Sequence, residues 1–278
     1  MTSTRSRLAS TRRGAQVRRA PDGARPQSRL VRVTRIVAAG LVLLGLWWLA
    51  SRVYAAYVLP GPPDVWNSFT AAVSRGLWAQ EVAATLAHLF AAIALIIVIG
   101  LPVGIIIGRF VIADDLTRGI LVLLQTVPTI VLIAVALVFI GTTDSSVIAV
   151  TVASGLTYFM LNIIQGSRAI DHALIEMAKA YGASERTIMR TIILPSTVPY
   201  FLAGCRIALG VTWQVTLFSE YLMGTGGIGF QISTDIKLLD TSDVFMWGLT
   251  AVLLTFLFEY VVFRPAERYL TRHVKKAQ

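Results

Sequence analysis

Residues 176–195 read E-M-A-K-A-Y-G-A-S-E-R-T-I-M-R-T-I-I-L-P, the longest polar, charge-rich stretch once the apolar runs of the chain have begun. The pattern predicts two short helices. Asp171 can cap the first, whose apolar face is Leu174, Met177, Ala178 and Tyr181 at helical spacing. Gly182 stands where a left-handed C-terminal cap is wanted, because glycine alone takes positive φ without strain. Ser184 caps the second helix, with Ile188 and Ile192 one turn apart, and Pro195 is expected to stop it. Each helix is about ten residues, against the roughly 20 that cross a bilayer. The pair is therefore a hairpin on one side of a membrane, carrying Glu176, Lys179, Glu185, Arg186 and Arg190. A compact charged hairpin between apolar spans is a docking device.

The surrounding composition supports a membrane setting. Of 278 residues, 55% are hydrophobic and only 14% charged, with a mean hydropathy of +0.70. The net charge of +10 and pI near 10.3 would suit a nucleic-acid partner, but the positions argue otherwise. Arg5, Arg7, Arg12, Arg13, Arg18, Arg19, Arg25, Arg29, Arg32 and Arg35 all precede the first apolar run, and Asp22 is the only acid among them. A basic tail abutting a span anchors on anionic lipid at the cytoplasmic face. The lone Cys205 excludes an intrachain disulfide and reads as a small packing residue in an apolar run.

Residues 1–35 lack apolar periodicity and read as a disordered cytoplasmic tail. Val53-Tyr54-Ala55 could pass for a signal cleavage site, but the basic region is too long and the apolar run continues to Leu59. Arg12-Arg13 lacks the apolar context of a twin-arginine signal. The first span, 36–59, is therefore expected to be retained, with Arg52 snorkelling to the far side. An extracytoplasmic segment, 60–84, starts at Pro60-Gly61-Pro62-Pro63 and holds a surface helix over 64–82 showing Trp66, Phe69, Val73 and Leu77 on one face. The core, 85–264, carries five more spans. They are expected at 85–108 with Pro102 as a kink, 119–140 with Gln125 and Pro128, 147–166, 198–222 and 244–263. Arg109, Asp114, Asp115 and Arg118 make a polar loop, and 141–146 a tight turn. The hairpin occupies 171–195, and a basic tail, 265–278, closes the chain.

With the N-terminus inside, the cytoplasmic segments hold the ten arginines, Arg109, Arg118, Arg168, the hairpin bases and the cluster Arg264, Arg268, Arg272, Lys275 and Lys276. The other side keeps Arg75 and Lys237, with Arg52 at its edge. The positive-inside bias thus places both termini and the hairpin in the cytoplasm.

Glu176, Ala178, Gly182, Ile192, Leu194 and Pro195 match, at full spacing, the EAA loop of importer permeases of the ABC transporter class. Met177 departs, standing where the family usually has alanine. P-G-P-P-D-V-W at 60–66, the T-L-x-H start of the second span, Gly204-Cys-Arg206 and the stretch from Trp213 through Glu220 to Gly226-Gly-Ile-Gly229 resemble one subgroup, the permeases of nitrate, sulfonate, taurine and similar importers. Gln125-Thr-Val-Pro128-Thr stands where that subgroup is usually richer in proline. The resemblance covers about 60–270. It implies an all-α polytopic membrane protein, type I importer permease-like, with six transmembrane helices and a cytoplasmic coupling hairpin. It further implies a homodimer working with two copies of an ABC ATPase subunit and an extracytoplasmic solute-binding protein. ATP and Mg would be held by the ATPase; this chain would hold no cofactor and no catalytic residue.

The residues themselves offer little chemistry. Gly224-Thr-Gly226-Gly-Ile-Gly229 fits G-x-G-x-x-G, but it ends an apolar helix, and Leu249 stands where an acid should follow. It reads as a gate turn outside the membrane, marked by Gly226 and Gly229. There is no phosphate-loop motif and no metal spacing, since His88, His172 and His273 are scattered. In the fifth span, Cys205, Ala208, Thr212, Thr216 and Ser219 form a small-residue stripe suited to close helix packing. Arg206, Gly210, Trp213, Leu217 and Glu220 form the adjacent stripe. Gln125, Trp213, Gln214 and Glu220 either approach a translocation path or hydrogen-bond between helices to hold the bundle. Glu259, near Arg264, reads as structural. An ion-driven carrier or channel would show acids buried mid-membrane and inverted repeats, and a membrane enzyme a nucleophile–base pair. A neighbouring reading within the importer class is a permease for a thiamine-precursor-like or other neutral solute.

Overall fold

The computed structural model describes residues 29–258 and 260. The expectations for residues 1–28, for Glu259 and for the basic cluster Arg264 to Lys276 lie outside the described residues, as does the end of the sixth span. The described chain divides into two units, up to Trp47 and from Trp48 onward. The first unit holds most of α1 (Arg29–Val53), whose Leu41, Val42, Leu43 and Leu46 are exposed. A helix that shows leucines all round suits lipid.

The second unit is entirely helical among the described residues. After α2 (Pro62–Ser74), Gly76 turns at φ 73° and α3 (Leu77–Arg109) begins. The surface helix expected over 64–82 is thus cut at Gly76, and Leu77 belongs to α3. Val65 and Ala72 are the buried face of α2, while Trp66 and Val73 are exposed. Pro62 and Pro63 open α2, where a missing N–H costs nothing, and Asp64 accepts the Gly61 amide at 2.9 Å.

The polar loop expected at 109–118 is instead the first turns of α4 (Val111–Thr126). α4 meets α5 (Thr129–Phe139) at a 96° bend, so the third span is broken rather than straight. Pro128 is the cause: it bars the helical region to Val127, which is extended at φ −66°, ψ 121°. α6 (Asp144–Arg168) follows, with Thr143 accepting the Ser146 amide.

Then come α7 (His172–Ala180), α8 (Glu185–Ile188), a π-helical turn over Met189–Ile193 and α9 (Leu194–Met223). Pro195 does not stop a helix, contrary to expectation. It sits in the first turn of α9, and the helix runs unbroken from Glu185 to Met223. The Leu194 amide bonds back five residues to Met189, a loop wide enough to receive a proline that lacks its own N–H. The glycine-rich loop expected after the fifth span contains α10 (Ile228–Leu238), and α11 (Thr241–Leu257) ends the described helices.

Among the described residues three helices are long and apolar enough to cross a bilayer: Leu77–Arg109, Asp144–Arg168 and Glu185–Met223. The bent pair would make a fourth, and the shorter apolar helices Val37–Val53 and Thr241–Leu257 lie where the first and sixth spans are expected. α6 is the hub, packed between α3 and α9. Lipid offers no hydrophobic gain for such contacts, so small residues drive them by close approach. Gly100, Gly104 and Gly108 recur every four residues on α3. A methyl on each would press on Phe159, Ile163 or Ser167 of α6 at 2.6–2.9 Å. On α9, Ala208, Thr212, Thr216 and Ser219 are buried as the small-residue stripe predicted, and the Thr216 and Thr151 hydroxyls meet at 3.3 Å.

Candidate functional site

At one end of α9 stands the hairpin. Asp171 caps α7 by accepting the Ala173 amide at 2.9 Å, Gly182 takes φ 78°, and Ser184 caps α8 by accepting the Thr187 amide. The inward face differs from the one expected. Ile175, Ala178, Ala183, Met189 and Ile192 pack against a buried cluster that includes Ile105, Phe159, Ile170, Ile188 and Ile193. Leu174, Met177 and Tyr181 are instead exposed at 46, 53 and 87%. The helix was read one position out of phase: only Ala178 of the predicted face turns inward. Of the other motif residues, Ile192 packs inward, while Glu176, Gly182, Leu194 and Pro195 are exposed. Arg109 at the end of α3 reaches Glu185 at 3.3 Å and Lys179 reaches it at 2.9 Å. Lys179, then Arg109, hold the Glu185 carboxyl below its ordinary range. Arg168 and Arg118 both reach Asp114. Of these pairs Arg109–Glu185 alone joins the hairpin to another helix, and being partly exposed it fixes where the hairpin lies more than how strongly it is held.

At the other end of α9, Glu220 is fully buried. Its Oε2 accepts the Thr85 hydroxyl at 2.9 Å and the Gly229 amide at 3.0 Å, and its Oε1 lies 2.8 Å from His88 Nδ1. Glu81, also buried, accepts the Gly227 amide at 2.6 Å, and the Thr85 hydroxyl accepts the Ile228 amide at 2.8 Å. Glu81, Thr85 and His88 share one face of α3 at spacings of four and three. The three amides are the first N–H groups of α10, which a helix cannot satisfy internally, and two carboxylates and one hydroxyl accept them there. Gly227, at φ 100°, lets the backbone pass against Glu220, where a side chain would overlap the carboxyl group.

The remaining predicted path residues do not gather around Glu220. Trp213 is 8% exposed and meets Phe258 edge-on at 5.5 Å. It lines a cleft of about 180 Å³ with Leu89, Arg206, Leu209, Gly210, Gln214, Thr255 and Phe258. Gln214 and Arg206 are exposed on α9, whereas Gln125 is half-buried in the last turn of α4 and outside that cleft. Trp213 and Glu220 were expected either to approach a path or to bond between helices; both are buried, Trp213 against Phe258 and Glu220 hydrogen-bonded to α3. Glu81 was not singled out, and Thr85, His88 and Gly227 entered within quoted motifs, with no contact from α3 to Glu220 foreseen. The i, i+4, i+7 spacing on α3 was the available signal, but it names no partner on another helix. Among the described residues no group of three or more His, Cys, Asp or Glu could hold a metal.

The fold is an all-helical bundle with a π-jointed charged hairpin at one end and a carboxylate-held glycine turn at the other. Its relatives place it in the class of permeases of ATP-driven importers. The chain belongs to the family of binding-protein-dependent transport system inner membrane components, whose profile matches residues 100–276. A probable ABC transporter permease of Brucella abortus (strain 2308) is 28% identical over 87% of this chain and 99% of its own length. The taurine transport system permease of Escherichia coli (strain K12) is 28% identical over 88% and 91%. Among solved structures, the MetNI methionine ABC transporter in an inward-facing conformation matches with a TM-score of 0.58 at 21% identity. That match covers 76% of this chain and 98% of the other. The protein is thus a membrane-spanning permease subunit of an ATP-driven, binding-protein-dependent importer. The buried Glu81 and Glu220, which a carrier would also show, serve here as helix anchors.

Proposed function

We propose that this permease imports a small sulfonate, taurine, nitrate or a related solute across the cytoplasmic membrane, as a homodimer with two ABC ATPase subunits and an extracytoplasmic binding protein. Six spans leave both termini and the hairpin in the cytoplasm and the 224–229 turn outside. The chain carries no catalytic residue, and ATP and Mg sit on the ATPase. The observation that carries the reading is the exposed apolar edge of the hairpin, Leu174, Met177 and Tyr181, beside Glu176, Arg186 and Arg190. Apolar side chains left bare beyond the membrane mark a contact surface. The likeness to a taurine permease supports the solute class.

Within this reading the turn held by Glu220 is the outer gate, and the exposed Gln214 of α9 faces the path. The test is uptake by the reconstituted transporter with its own binding protein. Labelled taurine should enter only with ATP, and short sulfonates or nitrate should compete. Competition by neutral thiamine precursors alone would move the solute to the neutral class. Uptake without an ATPase would reject the assembly.

A further inference from the structure

His88 lies between two carboxylates. Its Nδ1 is 2.8 Å from Glu220 Oε1 on α9, and its Nε2 is 3.5 Å from Asp144 Oδ1 in the first turn of α6. A neutral imidazole has one N–H and one lone pair, so one of these contacts would set lone pair against carboxylate; an imidazolium donates on both sides. Glu220 is fully buried, and an ionised carboxylate there needs a positive partner as well as the Thr85 and Gly229 donors. Asp144 is different: its side chain is 59% exposed, and it also accepts the Thr225 hydroxyl at the head of the glycine turn. A line of polar contacts therefore leads from solvent through Asp144 and His88 to the buried anchor.

We propose that His88 is a positioning residue for the transport cycle: as an imidazolium shared by Glu220 and Asp144, it ties the start of α6 to the turn that caps α9. Loss of its proton keeps the Glu220 contact, through Nδ1–H, and removes the donor that faces Asp144, leaving the start of α6 held to the turn by the Thr225 hydroxyl alone. The charged groups around it are Glu220 from α9, Asp144 from α6 and Glu81 from its own helix; α10 brings Asp235, which answers to Asp243, Asp240 and Trp247. The turn adds only Thr225 and backbone amides. The inference rests on reading that turn as the outer gate. With the tie in place the gate stays shut between solutes; without it the transporter cycles idly.

The experiment uses the complete transporter in liposomes, with pH raised on the binding-protein side from about 6 to about 9, across the histidine range. ATP hydrolysed per solute imported should rise about threefold or more, as expected for losing one partly exposed ion contact. Asp144→Ala should show the high ratio at every pH, because a neutral His88 then suffices. His88→Asn should also be flat; should it fail to reach the membrane, Asp144→Ala decides alone. Asp235→Asn should leave the wild-type profile intact. A flat wild-type profile, an Asp144→Ala profile that overlays the wild type, or a profile abolished by Asp235→Asn would each overturn the role of His88. Import that proceeds normally in those cases leaves the importer reading standing, whereas a chain that neither binds an ATPase nor imports at any pH sinks both.

Discussion

A methyl group on Gly229 would overlap the Leu217 carbonyl oxygen and press on Glu220 Cβ at 2.7 Å, while one on Gly226 would meet Glu81 Oε2 at an ordinary 3.5 Å. The two glycines of the turn are therefore unequal. Gly229→Ala should lower transport at least tenfold, since backbone cannot yield as a flexible side chain does; Gly226→Ala should stay within about twofold. Equal losses in uptake assays would mean the turn is not held in this packing. Asp235 makes a second residue-scale test. Burial first, then the nearby Asp243 and Asp240, pushes its carboxyl up to about 6, against a weaker pull from Trp247. The folded state binds that proton more tightly than the unfolded chain. Stability is thus fully present below about pH 4 and is lost as pH rises toward about 6. Thermal unfolding in detergent should fall over that window in the wild type and less so in Asp235→Asn; identical slopes would show Asp235 already ionised.

At the scale of elements, Gly182 sets the angle between α7 and α8 at φ 78°, with nothing near its α-carbon to clash. Gly182→Val therefore costs backbone strain alone, on the order of 1–3 kcal/mol. The variant should reach the membrane yet lose its ATPase on co-purification, and uptake with it. Normal transport would show that the hairpin does not couple. The hairpin was largely legible beforehand because caps and a positive-φ glycine are local signals: Asp171, Gly182 and Ser184 each act within three residues. Its buried face was not, because Leu174 and Ile175 are equally apolar and only the facing helices choose between them. The same limit hid Glu220's partners, which lie 132 and 135 residues away on α3. Pro128 and Pro195 were misjudged in opposite senses. The first breaks, by 96°, what was expected as a single span over 119–140, and the second is absorbed by a π turn no local rule foresees.

At the scale of the whole molecule, the charge bias predicts the orientation. An enzyme reporter active only outside, fused after Gln278, should be silent, and one inserted between the exposed Leu239 and Asp240 should be active. The reverse would overturn the topology.

The π turn over Met189–Ile193 has a further consequence. Such a turn holds one residue more than an α-helical turn, so it is a spare residue threaded onto an otherwise continuous rod of 39 residues, Glu185–Met223. Rewinding that turn into α-helix would rotate everything on its hairpin side by about 100° and advance it about 1.5 Å. The hairpin is mounted on α9 through a swivel. It can follow a moving ATPase without α9 letting go of α6. If so, amide exchange across 189–193 should run faster than along 208–219, and equal protection would show the joint to be rigid.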